Sequence, residues 1–192
     1  MNNNFMIGKK LPLVAVCGKF QPFHTEHFDY VLQAFTVGDH VIIGITNPDP
    51  TYVRFEEADP QRSTLDANPF TYYERYLMVL ESLRDKDIGP EKYDIVPFPI
   101  NVPEFWFNYI PKEAVFLLTL YDDDKWLEVR KKKLEEKGII TKVLWSRPKK
   151  GISGSQVRNQ IKQGLPWDIL VPSGTARVIR RLHIEERLRS SI

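Results

Sequence analysis

The sequence predicts an α/β fold: a Rossmann-like, doubly wound parallel sheet of about five strands, with helices on both faces and a short C-terminal helical extension. Short apolar runs alternate with helical patterns along most of the chain, which is typical of this class. The first run, Leu11–Cys17, is apolar throughout, as expected for a strand buried on both faces. With 192 residues, of which 42% are hydrophobic, the chain can form a sizeable core.

A β–α–β unit opens the chain. After the first strand, residues His24–Phe35 carry apolar side chains at helical spacing, and Gly38 ends the predicted helix. The run Val41–Thr46 then predicts a second strand. A strand, a helix and a strand at this spacing form a crossover unit, so the sheet should be parallel.

The remaining elements follow the same alternation. Residues 47–68 contain three prolines and many charges, and so long a connection is often a functional lid or simply mobile. Later predicted elements are a helix Phe70–Leu83, a strand Tyr93–Pro99, an aromatic segment Pro103–Ile110, a strand Ala114–Leu120, an exposed helix Lys125–Lys137, a strand Thr141–Trp145, a helix ending at Gly164 and a last helix Gly174–Leu188. We expect one domain over 1–192, with its core at about 11–164 and a helical segment at about 165–192.

Composition excludes several classes of protein. The net charge of +2 does not favour a nucleic-acid or membrane partner. No apolar run approaches the roughly 18 residues that span a bilayer, and the N-terminus lacks a signal-peptide pattern, so a cytoplasmic protein is expected. Cys17 is the single cysteine, which excludes an intrachain disulfide and a four-cysteine zinc site.

The first candidate site is the segment 18–27, which follows the first strand and opens a helix. Gly18 allows a ligand close to the backbone, and the amides at a helix start suit an anion. His24 and His27 lie three residues apart and share one helix face, where both rings can donate to phosphate oxygens. A pair of surface histidines, or half of a metal site, is the alternative, but the preceding strand together with Gly18 and Lys19 favours phosphate.

The second candidate site is the segment 152–158, which follows the last strand and also opens a helix. Ser153 and Ser155 offer hydroxyls, and Arg158 can grip a phosphate with two parallel hydrogen bonds. The alternative for the serines is helix capping, which needs no ligand. Lys149 and Lys150, just before this segment, are interpreted as solvated surface.

These segments resemble the signatures of the HxGH-type nucleotidyltransferase superfamily. The stretch GKFQPFHTEH (18–27) is similar to the first signature in the form found in archaeal-type nicotinamide mononucleotide (NMN) adenylyltransferases, and ISGSQVR (152–158) resembles the second. NPFTYYER (68–75) and GLPWDILVP (164–172) also resemble segments of that family. The resemblance runs from about Leu13 to Ile179.

The resemblance implies transfer of the AMP moiety of ATP to NMN or nicotinate mononucleotide, giving NAD or its deamido form and pyrophosphate. It implies catalytic roles for Lys19, His24, His27 and Arg158. The ATP site would comprise Gly18, Lys19, Phe20, His24, His27, Ser153, Gly154, Ser155 and Arg158. Mg²⁺ is expected with ATP, held mostly by phosphates and water, with no protein metal ligand. A homo-oligomer is common in the family and is permitted here.

The mononucleotide site rests on fewer residues. The resemblance places Trp106 where an aromatic ring stacks on nicotinamide; the alternative is core packing with Phe105 and Phe107. Arg75 is a candidate phosphate ligand, with a helix-surface ion pair as the alternative. Arg54 and Arg62, in the long loop, could close over the phosphates.

Three departures from the family pattern bear on the substrates. Glu26 replaces the glycine of HxGH, the loop 47–68 is longer and more acidic, and Asp122–Asp124 replace a small-residue segment expected to line the nucleotide site. The aspartates could instead be an acidic helix start favoured by the helix dipole. Two further hypotheses therefore stay open: a superfamily member using another phosphorylated substrate or CTP as donor, and a non-catalytic nucleotide-binding sensor.

Overall fold

The computed structural model describes residues 9–49, 67–121, 125–149 and 151–190. Its strands are β1 Leu11–Gly18, β2 Gly38–Thr46, β3 Tyr93–Phe98, β4 Val115–Tyr121 and β5 Thr141–Arg147. Its helices are α1 Thr25–Val37, α2 Tyr72–Arg84, α3 Lys125–Glu136, α4 Gly154–Gln163, α5 Ser173–Arg181 and α6 Ile184–Arg189. The predicted aromatic segment forms a short 3₁₀ helix, Pro103–Asn108.

The five strands form one sheet in the order β3-β2-β1-β4-β5, and every neighbouring pair is parallel. The predicted fold class is therefore confirmed. The chain leaves β1 towards one edge through β2 and β3, and then returns to the other side of β1 with β4. This reversal places the topological switch point between β1 and β4, where ligands bind in open parallel sheets.

Both faces of the sheet are covered, as the apolar first run predicts. Val14 and Val16 of β1 belong to a core cluster shared with α1, α2 and the C-terminal helices. Their neighbours Ala15 and Cys17 belong to a second cluster on the other face, shared with the 3₁₀ segment and α3. Alternate residues of one strand thus face opposite layers, which explains why no polar alternation is visible in the sequence.

The last predicted helix, Gly174–Leu188, is wrong in one respect, because the structure divides it into α5 and α6. His183 lies between them with φ 53°, a left-handed conformation that an uninterrupted helix cannot contain. Neither glycine nor proline marks this break in the sequence, so the sequence pattern predicts one helix across it.

Helix α5 packs closely on α2. A Cβ atom at Gly174 would lie 2.4 Å from the backbone of Glu81, so only glycine permits this approach. Beside it, the buried hydroxyls of Ser82 and Thr175 are hydrogen-bonded at 3.3 Å. The C-terminal helices therefore share the main core, while the prediction of one domain over the whole chain stays a prediction.

Several predicted features lie outside the described residues. These are most of the long loop with Arg54 and Arg62, the acidic run Asp122–Asp124, and Lys150. Within the described residues, none of the helices has the length and apolar character needed to cross a membrane.

Candidate active site

The carboxyl ends of β1 and β4 border a cleft of about 300 Å³. This is the low end of the range of roughly 300–1,000 Å³ that is typical of small-molecule sites. Its walls come from the end of β1, the start of α1, the end of β4 and the start of α4. The lining residues are Cys17, Gly18, Lys19, Phe20, Gln21, His24, Glu26, His27, Tyr30, Thr46, Ala67, Ile100, Thr119, Tyr121, Ile152, Ser153, Gly154, Ser155 and Arg158.

The two histidines of the first segment stand together at the start of α1. Their rings are stacked with centroids 3.6 Å apart, and His24 is the N-cap residue of the helix. The ring of His27 also meets the edge of Phe20, at 5.0 Å between centroids. Aromatic packing thus sets both imidazoles against the cleft, beside the unpaired amides with which every helix begins.

The turn between β1 and α1 depends on Phe20 rather than on the conformation of Gly18. Phe20 has φ 53°, in the left-handed region that side chains rarely adopt, and its ring is fully buried. A Cβ atom at Gly18 would lie 2.4 Å from that ring. Gly18 therefore provides the space for the Phe20 side chain.

The second segment meets the first directly. Nη1 of Arg158 donates to the carbonyl oxygen of Gln21 at 2.6 Å, and Nη2 donates to the Ser155 hydroxyl at 3.1 Å. A Cβ atom at Gly154 would lie only 2.4 Å from the same Gln21 oxygen. The structure therefore brings together all nine residues predicted for the ATP site, and places the starts of α1 and α4 at one cleft.

The alternative of helix capping is correct for Ser153. Its hydroxyl accepts a hydrogen bond from the backbone N–H of Gln156 at 3.2 Å, as an N-cap does. The hydroxyl proton is still available to a ligand, and the residue lines the cleft. Its predicted role at phosphate stays a prediction, as do the catalytic roles of Lys19, His24, His27 and Arg158.

Gln21 is a structural part of the site that the sequence analysis did not identify. Its side-chain amide donates to the carbonyl oxygen of Phe70 at 3.1 Å and accepts from the Phe70 N–H at 3.0 Å. This pair of hydrogen bonds joins the first segment to the residues that precede α2. A signal was present in the sequence, because Gln21 is a polar amide between Phe20 and Pro22 in the first signature.

Arg75 is neither exposed in an ion pair nor directed at the cleft. It is 2% exposed, and its guanidinium donates to four backbone carbonyls. The acceptors are Lys19 at 2.8 Å, Thr46 at 2.7 Å, Asn47 at 2.8 Å and Thr71 at 3.2 Å. Burial lowers its pKa to about 10, which leaves the group charged at neutral pH. Arg75 is therefore not the exposed ion pair of the alternative, because it ties the ends of β1 and β2 to α2. Its predicted contact with a phosphate stays a prediction.

Trp106 does not line the cleft. It is 2% exposed, its ring packs against Phe98 with centroids 6.0 Å apart, and its indole N–H donates to the carbonyl oxygen of Pro99 at 3.1 Å. No face of the ring is open for stacking in this conformation. The placement agrees with the alternative of core packing, although Phe105 is exposed rather than part of the cluster.

Glu26 points across the cleft. Its Oε1 accepts a hydrogen bond from the backbone N–H of Gly151 at 2.8 Å, which joins the start of α1 to the loop after β5. Tyr121, at the end of β4, lines the same cleft. Burial, followed by the negative charge of Glu26, raises the pKa of the Tyr121 phenol. Tyr121 and Thr119 enter the site because β4 lies next to β1, an order that the sequence does not show.

The residues of the cleft can bind an extended polyanion. Among the described parts of the chain, no three His, Cys, Asp or Glu side chains are grouped closely enough to hold a metal ion. The histidines, the serines, Lys19 and Arg158 can supply hydrogen bonds and positive charge to negatively charged oxygens.

Comparison with known proteins agrees with this geometry. A family model described as Cytidylyltransferase-like matches residues 15–160. A phosphonoformate cytidylyltransferase from Streptomyces viridochromogenes is 40% identical over 173 residues, covering 90% of this chain and 93% of the relative. A nicotinamide-nucleotide adenylyltransferase from Thermococcus kodakarensis is 28% identical over 173 residues, covering 90% and 84%.

Solved structures share the fold. A bifunctional NMN adenylyltransferase/ADP ribose pyrophosphatase from Francisella tularensis superposes with a TM-score of 0.62 at 16% sequence identity, covering 92% of this chain. This chain spans 52%, about half, of that two-activity protein. The family match covers both predicted signatures up to Gln160, and the resemblance to nucleotidyltransferases is confirmed. The chain belongs to the cytidylyltransferase-like family of nucleotidyltransferases.

Proposed function

We propose that the protein transfers a cytidylyl group from CTP to an anionic oxygen of a small phosphonate or phosphate acceptor. The observation that carries the proposal is the single cleft in which two helix starts, two histidines, Lys19 and Arg158 converge. CTP is preferred because the relative at 40% identity is named a cytidylyltransferase. Phosphonoformate carries a phosphonate and a carboxylate, so the acceptor class is a small anion.

The reaction needs alignment and charge stabilisation rather than a general base. An oxygen of the acceptor, already ionised at neutral pH, attacks the α-phosphorus of the triphosphate and forms a new P–O bond. The bond from the α-phosphorus to the oxygen that bridges to the β-phosphorus breaks, and pyrophosphate leaves with that electron pair. Negative charge shifts towards the leaving group, where fixed hydrogen-bond donors are most effective.

The donors in the cleft suit this task. His24 and His27 would contact the oxygens around the α- and β-phosphates, and Lys19 would add positive charge over the chain of phosphates. Ser155 and Arg158, at the start of α4, would hold the β- and γ-phosphates and then the pyrophosphate. Since Arg158 also contacts the Gln21 carbonyl, binding at one segment would fix the position of the other.

A divalent cation would enter with the nucleotide, bound by phosphate oxygens and water. A cation held in this way keeps several waters and needs no cage of protein ligands. A second structure of the Francisella protein is complexed with AMP and a manganese ion, at 14% sequence identity to this chain. The cation would neutralise part of the triphosphate charge.

The second candidate is transfer of an adenylyl group from ATP to NMN or nicotinate mononucleotide. The specific observation in its favour is the close match of the segments 18–27 and 68–75 to the archaeal-type enzymes, with relatives of that name at 27–29% identity. The buried position of Trp106 counts against it, since the ring expected to stack on nicotinamide lies in the core.

A matrix of substrates tests the proposal. Purified protein with Mg²⁺ is incubated with CTP or ATP, each paired with phosphonoformate, NMN or nicotinate mononucleotide, and pyrophosphate is measured. We expect CTP to exceed ATP by at least about tenfold, a ratio within reach of differential binding. Faster reaction of ATP with a mononucleotide would establish the second candidate instead. Tight nucleotide binding without pyrophosphate from any pair would support the non-catalytic sensor.

A further inference from the structure

Among the described residues that line the cleft, Glu26 supplies a carboxylate, while Lys19 and Arg158 are cations. Its Oε1 is held by the N–H of Gly151 at 2.8 Å, and a Cβ atom at residue 151 would lie 2.8 Å from that oxygen. Glycine at this position therefore permits the approach. The contact joins the Glu26 side chain, which lines the cleft, to the loop after β5.

A carboxylate in this place is a poor neighbour for phosphate. Two like charges 4 Å apart repel by about 1 kcal/mol in water and about 4 kcal/mol at the effective dielectric of a protein surface. A triphosphate carries several negative charges. A phosphate beside Glu26 is therefore disfavoured and a neutral hydrogen-bond donor is not, whereas Lys19, the histidines and Arg158 offer the same cleft to the triphosphate.

The surroundings of Glu26 suit a nucleoside. Glu26, at the start of α1, and Tyr121, at the end of β4, line the same cleft. Thr119 and Tyr121, both at the end of β4, line this region with a hydroxyl and an aromatic ring. A base and a ribose offer flat apolar surface and neutral polar groups, which match such a lining.

We propose that Glu26 is a specificity-determining residue that accepts a hydrogen bond from the nucleoside of the donor nucleotide. The proposal rests on the nucleotidyl transfer proposed above. A carboxylate offers about four acceptor positions, and Gly151 uses one of them. Two nucleoside groups have the required chemistry: the exocyclic amine that cytosine and adenine share and uracil lacks, and the ribose hydroxyls.

The test compares the affinities of wild type and Glu26→Ala for four probes: CTP, UTP, 2′,3′-dideoxy-CTP and inorganic tripolyphosphate. We expect Glu26→Ala to bind CTP about 10- to 100-fold more weakly, the effect of losing one charged hydrogen bond. Tripolyphosphate, which has no nucleoside, should keep its affinity within about twofold. Glu26→Gln, which retains an acceptor oxygen without the charge, should show a smaller loss. Asp29→Ala removes an exposed carboxylate of the same helix and should change none of these affinities.

The remaining probes identify the group. A loss with CTP and dideoxy-CTP but not with UTP assigns the amine, and a loss with CTP and UTP but not with dideoxy-CTP assigns a hydroxyl. An equal loss of affinity for every probe, tripolyphosphate included, would show that Glu26 acts only by holding the loop at Gly151 in place. This result would overturn the inference. Unchanged CTP affinity, or a gain for tripolyphosphate alone, would overturn it as well. Failure of wild type to bind any nucleotide would instead remove the proposed function, and the inference with it.

Discussion

Replacing Arg75 with methionine should strongly destabilise the folded protein, because its guanidinium holds backbone carbonyls of two residues that line the cleft, Lys19 and Thr46. The change removes donors to the carbonyls of Lys19, Thr46 and Asn47, at the ends of β1 and β2. Each buried carbonyl left without a partner costs about 1–3 kcal/mol. Methionine also avoids the cost of burying a charge, which offsets part of this loss. We therefore expect a decrease of about 3–5 kcal/mol in the free energy of unfolding.

Urea unfolding, extrapolated linearly to water, measures this difference. Arg84→Met is the matched control, because Arg84 lies on the same helix but is exposed and pairs only with Glu81 among the described residues. The control should change the stability by less than about 1 kcal/mol. A loss of less than about 1 kcal/mol for Arg75→Met would refute the structural role assigned to its four hydrogen bonds.

Three further changes follow from the structure. His27→Ala should lower turnover by at least about 100-fold, since it removes a donor at the transferred phosphate, while circular dichroism stays unchanged; unaltered turnover would exclude the mechanism. Gly154→Ala should reduce both stability, by about 1–3 kcal/mol, and activity, because the new methyl would collide with the Gln21 carbonyl; a fully active variant would contradict this packing. Burial opposes ionisation of Glu74, but hydrogen bonds, first from Arg187, lower its pKa below 4.5 overall. Its stabilising effect is thus present above about pH 4.5 and is lost as the pH falls through the folded-state pKa. Arg187→Met should flatten the acid-induced fall in melting temperature below that pH, and an unchanged slope would count against the pair.

The sheet was predictable because both of its faces are buried. Runs such as Leu11–Cys17 have no polar alternation, and the helical patterns between them are regular, so the element types and the parallel class followed from the sequence. The break at His183 did not, because a non-glycine residue adopts the left-handed conformation there without any local sequence signal.

The meeting of the two signature segments at one cleft was also predictable, since each signature is local and both follow strands at one edge of the sheet. The roles of Arg75 and Trp106 could not be predicted in the same way. Both side chains are large and amphipathic, and only the three-dimensional neighbours decide whether they face a ligand or the core. The hydrogen-bond partner of Glu26, the backbone N–H of Gly151, is likewise evident only in the fold, where the loop before Ser153 lies beside α1.

The central claim is that this cleft transfers a nucleotidyl group instead of hydrolysing the nucleotide or merely binding it. Incubation with Mg²⁺, phosphonoformate and CTP labelled at the α-phosphorus tests it directly, with ATP and NMN run in parallel. We predict that the label appears on the acceptor with one pyrophosphate released for each transfer, and that His27→Ala abolishes both. Label recovered only as CMP or as unreacted CTP, together with no transfer from ATP, would contradict it.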